Sequence, residues 1–317
     1  MKRSELETEQ AMKFDVVSFG DLVADVLLPI PRLPVLPDDI QLAHQMSIEP
    51  GGACNFLIMA ERLGLHSAAL GSVGDDAYGS LILQKLRGEG VETGGVNILV
   101  GQKTTGVIIL IDDQGQHAFL GALGTIQTTG ISAALIEKIS HSRALFTNGY
   151  AFLESLLPGI VIEVMQLARQ NNTLVIFDPG PQIQQIEPGL IRKGISLTDY
   201  LLLTQEEAAA LAGGESAEET ARNLLKLGPR MVVLKLGAQG SLSVSAQTSL
   251  RTPALAVNVR DTSGAGDAFD AAFVYGIMQG MSLEQIGKLA NAAGGLTVSR
   301  VGAGTALPLK VEIEAHL

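Results

Sequence analysis

Residues 261–269 read D-T-S-G-A-G-D-A-F, and an apolar run, A-F-D-A-A-F-V-Y-G-I-M, occupies 268–278. Two carboxylates, Asp261 and Asp267, bracket the turn Gly264-Ala265-Gly266 just before that run. Glycines let a backbone turn its N–H groups to one side. A helix starting near Asp267 adds its own unpaired N–H groups and the positive end of its dipole. The sum is a concave site for an anion. A carboxylate next to such a site repels a resting anion, so Asp267 needs a different task. Accepting a proton from a hydroxyl that attacks phosphorus is such a task. On this reading the turn stabilises charge and Asp267 is a general base. On the plainer reading Asp267 caps the helix and the glycines only turn the chain.

The chain leading up to this stretch alternates short apolar runs with helical patterns. The runs at 15–20, 68–73, 143–148, 173–178, 200–204 and 230–237 are continuous enough to be strands covered on both faces. Between them apolar residues recur at three and four, and Gly64, Gly90 and Gly228 close helical patterns. The alternation predicts an α/β fold, a three-layer αβα domain with a mainly parallel central sheet. Two helices, about 267–280 and 283–299, come late, with Ser282 placed to cap the second. Two stretches break the rhythm: 25–50 holds five prolines, and 103–124 reads as a hairpin around Asp113-Gln114-Gly115. They predict a small β-sheet lid built from about 26–48 and 98–121, covering a binding crevice. Residues 1–12 read as a flexible tail and 13–317 as one domain. Ligands of such folds sit beyond the carboxyl ends of the strands, so the segments at 20–21, 50–55, 178–181 and 261–267 matter most.

Composition removes several function classes. A net charge of −11 disfavours nucleic acid and anionic membranes as partners, and 4% aromatics with no Trp leaves little surface for stacking bases. Cys54 is the single cysteine, which rules out an internal disulfide and a cysteine zinc site. No stretch has the apolar length of a signal peptide or a membrane span, so the expected address is the cytoplasm. His44, His66, His117, His141 and His316 show no H-x-x-x-H spacing. Gly287-Lys288 is followed by Leu289, which is not a Walker A loop, and Phe19–Asp25 lacks a dinucleotide fingerprint. No G-x-S-x-G elbow occurs. The pairs Asp75-Asp76 and Asp112-Asp113 read as turn chemistry rather than a metal site.

The stretch D261-T-S-G-A-G-D267-A-F resembles the C-terminal signature of the ribokinase family, also called the PfkB carbohydrate kinases. The likeness extends over nearly the whole chain. G20-D-L-V-A-D25 is similar to the family's early glycine and sugar-contacting aspartate. G51-G52-A-C-N55 with E61-R-L-G64 is similar to its N-terminal signature, L70-G-S-V-G74-D-D-A-Y-G79 to the segment after it, and N291-A-A-G294 to the helix beside the nucleotide base. The resemblance implies phosphoryl transfer from ATP, with Mg2+, to a hydroxymethyl group of a sugar, nucleoside or similar small molecule. Asp267 would be the base, with the N–H groups of Gly264, Ala265 and Gly266 as anion hole. Asp25, Gly51, Gly52 and Asn55 would hold the acceptor. A carboxylate accepting two hydroxyls, an amide offering donor and acceptor, and glycines admitting a polyol to the backbone suit that role.

On the nucleotide side the resemblance points to Thr204, Glu207, Lys235, Gly237, Gly240 and Asn291, with Glu207 reaching Mg2+ through water. Many relatives also bind a monovalent cation of potassium size. Asp261 and Ser263, with the turn 299–304, would supply that site here. A homodimer through the lid is a further implication, and the apolar G-V-I-I-L-I at 106–111 is consistent with it. The chain departs from the family pattern in four places. Thr204 replaces the Asn of N-x-x-E, the Gly52–Asn55 spacing is one residue short, Gln182 stands where Arg is common, and Lys235 stands where Thr is frequent. At a strand end, Lys235 has either a phosphate within reach or only solvent. A nucleoside kinase and a non-catalytic metabolite sensor on the same scaffold remain alternatives.

Overall fold

The computed structural model describes residues 12–43, 45–125, 130–154 and 159–317. The expected tail therefore lies, apart from Met12, outside the described residues. The six apolar runs become β1 (Phe14–Phe19), β4 (Ser67–Gly74), β8 (Ser142–Asn148), β9 (Leu174–Asp178), β10 (Tyr200–Thr204) and β11 (Met231–Lys235). They lie in one nine-stranded sheet, ordered β13-β12-β11-β10-β9-β8-β1-β4-β5. All these neighbours run parallel except the last two, β12 (Ser241–Ser245) and β13 (Ser249–Thr252), which add antiparallel at one edge. The opposite edge is β5 (Glu92–Leu99). Its polar and glycine-rich sequence, E-T-G-G-V-N-I-L, has no continuous apolar run to announce it. Residues 98 and 99 thus belong to the large sheet and not to the lid.

Helices cover both faces. One face carries α1 (Ala53–Leu63), α2 (Ala77–Gly88), α9 (Ala265–Met278) and α10 (Leu283–Val298), packed on Val16, Ala69, Phe146, Leu202 and Val233. The other carries α3 (Ala133–Ser140), α5 (Gly159–Gln170), α6 (Pro188–Leu197), α7 (Gln205–Ala212) and α8 (Ala217–Leu225), packed on the intervening strand residues. A parallel strand alternates sides with period two, so each buried run feeds both layers. Between β8 and α5 lies α4 (Tyr150–Glu154), and α11 (Lys310–Glu314) ends the chain. The short α4, α6 and α7 carry too few periodic positions to be read from the sequence.

The pairing of α9 with α10 shows how closely the layers meet. A Cβ on Gly276 would lie 2.6 Å from Ile286 Cγ1, so glycine at that position lets the two helices approach. Ser282 caps α10 as expected, in a capping box with Gln285.

A second sheet of four strands, ordered β3-β2-β6-β7, stands apart. It contains β2 (Leu22–Pro29), β3 (Ser47–Gly52), β6 (Gly106–Ile111) and β7 (His117–Ala122). The expected hairpin is β6–β7, closed by Gly115 at φ 75° and by Asp112, whose Oδ1 accepts from the N–H groups of Gln114 and Gln116. Asp112 is buried by that task rather than solvated. The sheet starts at Leu22, earlier than the sequence indicates, and none of the described residues of 30–46 lies in a strand.

Candidate active site

At the switch in strand order the chain leaves β1 for β4 on one side, while β8 pairs on the other. Crevices form at such points beyond the carboxyl ends of the strands. Asp21, Asn148, Asp178, Thr204 and Lys235 all stand at or just past those ends. Asn148 Nδ2 donates to Asp21 Oδ1 at 2.8 Å across the switch point.

The anion turn lies above this edge. Helix α9 begins at Ala265, two residues before the expected start, with Gly264 as N-cap at φ 71°. A Cβ at 264 would lie 2.9 Å from Ala303 Cβ, so both the dihedral and the space call for glycine. Asp267 falls inside the first helical turn and is not the cap, so capping does not account for it. Its Oδ2 accepts instead from Asn55 Nδ2 at 3.1 Å. Asn55 lies in the first turn of α1, and its Oδ1 accepts from Gly304 N at 2.8 Å. One amide thus fixes the carboxylate and the turn behind it.

On the small sheet, Asp25 rises from β2 towards Gly51 of β3, where any Cβ would run into its carboxyl group. Gly52 stands in the same relation to Asp21, at φ 58°. Burial, with Asp267 and Glu49 nearby, raises the Asp25 carboxyl to about 7. Burial and Asp178 raise Asp267 to about 6, against the pull of Asn55 and Lys235. Cys54, buried beneath these acids, has its thiol pushed well up and serves as a small core filler.

These acids cost the fold stability. Folded Asp25 keeps a proton that the unfolded chain, where an aspartate has its ordinary value of 3.8, has already shed. Stability therefore falls as pH rises from about 4 to about 7 and stays low above that. Asp25→Asn removes the penalty. At pH 8 the variant is expected to be more stable than the wild type by about 4 kcal/mol, an advantage that vanishes near pH 4. Thermal melts across that range check it, and equal gains at both pH values contradict it.

Asp261 ties three segments together. It accepts from Ser263 N at 2.8 Å, from Gly302 N at 2.6 Å, and shares a 2.8 Å bond with His117 Nε2 of the small sheet. Burial alone would raise it, but these hydrogen bonds outweigh burial and hold it below the usual range. The turn at 299–304 thus lies beside 261–263, as the sequence suggests. His117, a lone histidine in the sequence, links the small sheet to the turn at 261–266.

On the nucleotide side, Thr204 and Glu207 form a capping box for α7: Thr204 Oγ1 accepts from Glu207 N, and Glu207 Oε2 accepts from Thr204 N at 2.8 Å. Thr204 therefore keeps a local structural task where the family's Asn stands. Burial and Asp178 raise the Glu207 carboxyl. Gly237 and Gly240 turn the chain after β11 at φ 57° and 86°. Asn291 is buried and donates to Ser241 Oγ and Thr252 O, bracing β12 and β13.

Lys235 is neither solvated nor a loose strand end. Its Nζ lies 2.8 Å from Asp178 Oδ2 and 3.2 Å from both oxygens of Asp270. Asp178 stands in a segment the sequence marks. Asp270 carries only one signal there, an acid within an otherwise apolar helix. Among the described residues no group of three or more His, Cys, Asp or Glu is arranged to hold a metal by itself.

Comparison with known proteins shows what the chain and its fold are similar to. A family model described as "pfkB family carbohydrate kinase" matches residues 13–310. An ATP-dependent ribose-1-phosphate kinase of Halopiger xanaduensis is 29% identical, covering 92% of this chain and 94% of that protein. A ribokinase of Schizosaccharomyces pombe is 31% identical over 77% of each. The structure of an Arabidopsis thaliana ribokinase complexed with ribose and ATP superposes with a TM-score of 0.81 at 25% identity, over 95% of this chain and 98% of that one. A nucleoside kinase of Burkholderia thailandensis in complex with inosine shares the fold at TM-score 0.76 and 21% identity, over 95% of each chain.

Proposed function

Because this chain belongs to the pfkB family of carbohydrate kinases, we propose that the crevice just described is where it moves a phosphoryl group from ATP to a hydroxymethyl group. The chain is an ATP-dependent carbohydrate kinase acting on a sugar or nucleoside. As an enzyme it is not the non-catalytic sensor considered above. The observation that carries the residue assignment is the placement of Asp267. It is half-buried, bonded to Asn55, and set directly beside the Gly264–Gly266 turn.

In this reading Asp25 and Asn55 bind hydroxyls of the acceptor, and Gly51 and Gly52 let it lie against the backbone. Asp267 removes the proton from the attacking hydroxyl as the oxygen closes on phosphorus. The N–H groups of Gly264, Ala265 and Gly266 receive the charge that spreads onto the phosphoryl oxygens. Thr204, Glu207, Lys235, Gly237, Gly240 and Asn291 line the nucleotide side.

Mg2+ keeps several waters and takes one or two carboxylates plus phosphates, so a site without a protein cage fits it. Glu207 is the carboxylate placed to meet its water shell. The ion would neutralise phosphate charge. A monovalent cation would sit among carbonyls of 261–263 and 299–304, turns that Asp261 already joins. A rate that depends on potassium over lithium would show it.

The small sheet closes over the acceptor and excludes water, which would compete as nucleophile. Its outer face exposes Ile108, Leu120 and Leu123, a surface suited to a second copy and checked by sedimentation. No described helix is long and apolar enough to cross a membrane. A cytoplasmic location, with neither nucleic acid nor membrane as partner, completes the reading. Fractionation and a filter-binding assay test those two points. The direct test of function is ATP consumption across a panel of sugars and nucleosides, with Asp267→Asn as control. Wild-type turnover on one of them supports the assignment, and equal turnover by the variant refutes the role of Asp267.

A further inference from the structure

We propose that Lys235, pinned by Asp178 and Asp270 beneath the anion turn, is a positioning residue of the transfer step. It acts through the turn and Asp267 rather than on the acceptor. The inference rests on the reading of Asp267 as base.

Three separate elements deliver the cluster. Asp178 ends β9, Lys235 ends β11, and Asp270 lies one turn along α9 from Asp267. The ammonium therefore spans two strands and joins the sheet edge to the helix that carries the base. A Cβ on Gly266 would lie 3.4 Å from Nζ, so the charge sits directly under the turn. Side chains of Lys235, Asp178 and Asp270 are only 12%, 14% and 0% exposed.

Burying such charges is expensive, and apolar replacements of similar volume often stabilise a fold as well or better. Helix α9 is otherwise apolar from Ala268 to Met278, so an apolar residue at 270 would suit its packing. Keeping three ionisable groups there suits a role for the charge itself. Two consequences follow from the geometry. Pinning Asp270 fixes the rotation of the first turn of α9, and with it the N–H groups of 264–266 and the Asp267 carboxyl. The nearby cation also favours the ionised form of Asp267, the form a base needs.

The groups facing Asp267 are Asp178 from β9, Lys235 from β11, Asp25 from β2, Asn55 and Cys54 from α1, Tyr150 from α4 and Asp270 from its own helix. Lys235 is the cation among them. Glu207 of α7 faces Lys235 from the other side.

The test compares Lys235→Met with the double variant Lys235→Met/Asp270→Asn, which removes one charge of each sign and leaves Asp178 as the one acid of the cluster without its cation. The pH profile of kcat/KM, kcat at pH 8 and acceptor affinity are measured for each, with a thermal melt. Lys235→Met alone is expected to shift the acid limb upward by about one pH unit, while the double variant, which removes a charge of each sign, leaves the limb close to that of the wild type. Both lose about 100-fold in kcat, with acceptor affinity unchanged within about threefold. If Lys235→Met does not fold, the double variant decides. A folded double variant with wild-type kcat, or a folded Lys235→Met with an unmoved acid limb, overturns the proposal and leaves Lys235 as a core ion pair. Failure of the underlying reading looks different: the wild type itself would turn over no acceptor, or Asp267→Asn would be fully active.

Discussion

Asp267→Asn lowers kcat by about 1,000-fold, within the range general-base removal produces, while affinity for the acceptor stays close to the wild type. The amide keeps the size of the carboxyl group and its bond to Asn55 after a rotation, but it takes no proton. Binding to Asp25 and the glycines survives, so the loss appears in kcat and equally in kcat/KM. In the wild type kcat/KM rises with pH through about 6, where the Asp267 carboxyl ionises. Asp25, at about 7, adds to the steepness of that limb because it too must be ionised to accept two hydroxyls. The variant retains the Asp25 part of the limb and loses the other. Its melting temperature at pH 8 does not fall, because the substitution removes an acid whose folded pKa lies above its unfolded one. Steady-state kinetics with a melt for each protein checks both statements. Unchanged turnover would remove the base from Asp267.

Much of this site is legible in the chain because its parts are local. The turn at 264–266, the paired glycines at 51–52 and the acids at 25 and 267 each lie in a short segment that leaves a strand or enters a helix. Apolar runs covered on both faces likewise announce themselves, as β8 through β11 do. What stays hidden is pairing across the fold. Asp178, Lys235 and Asp270 come from three segments, and nothing in any one of them indicates that they meet. His117 is a lone histidine in sequence and a partner of Asp261 in space. The strand β5 is hidden for a different reason: its glycines and polar residues are tolerated at a sheet edge, where one side needs no partner. Helix starts shift by a residue or two because a glycine N-cap lacks the side-chain signal of Ser, Thr or Asp. That is why α9 begins at Ala265 rather than near Asp267.

Gly51→Ala is expected to have the second largest effect, and of the opposite kind. A methyl group at 51 would occupy the space of the Asp25 carboxyl, since all three of its terminal atoms lie within contact of that position. The backbone at 51 is paired in β3 opposite Val23 and has little room to retreat. The aspartate side chain is what gives way, rotating off the crevice. An acceptor then loses a charge-assisted pair of hydrogen bonds, each worth roughly 1.5–3 kcal/mol. The KM for the acceptor should rise by about 100-fold or more, while ATP affinity and the slow hydrolysis of ATP by water are unaffected. Gly52→Ala differs, because that residue needs φ 58° and faces Asp21. It strains the backbone as well as crowding a side chain, so it should lower the melting temperature, which Gly51→Ala does to a smaller degree. Pairing each substitution with Asp25→Asn separates the two causes. If Gly51→Ala acts through Asp25, the double variant is hardly worse than Asp25→Asn alone; an additive loss would mean that glycine 51 touches the acceptor itself.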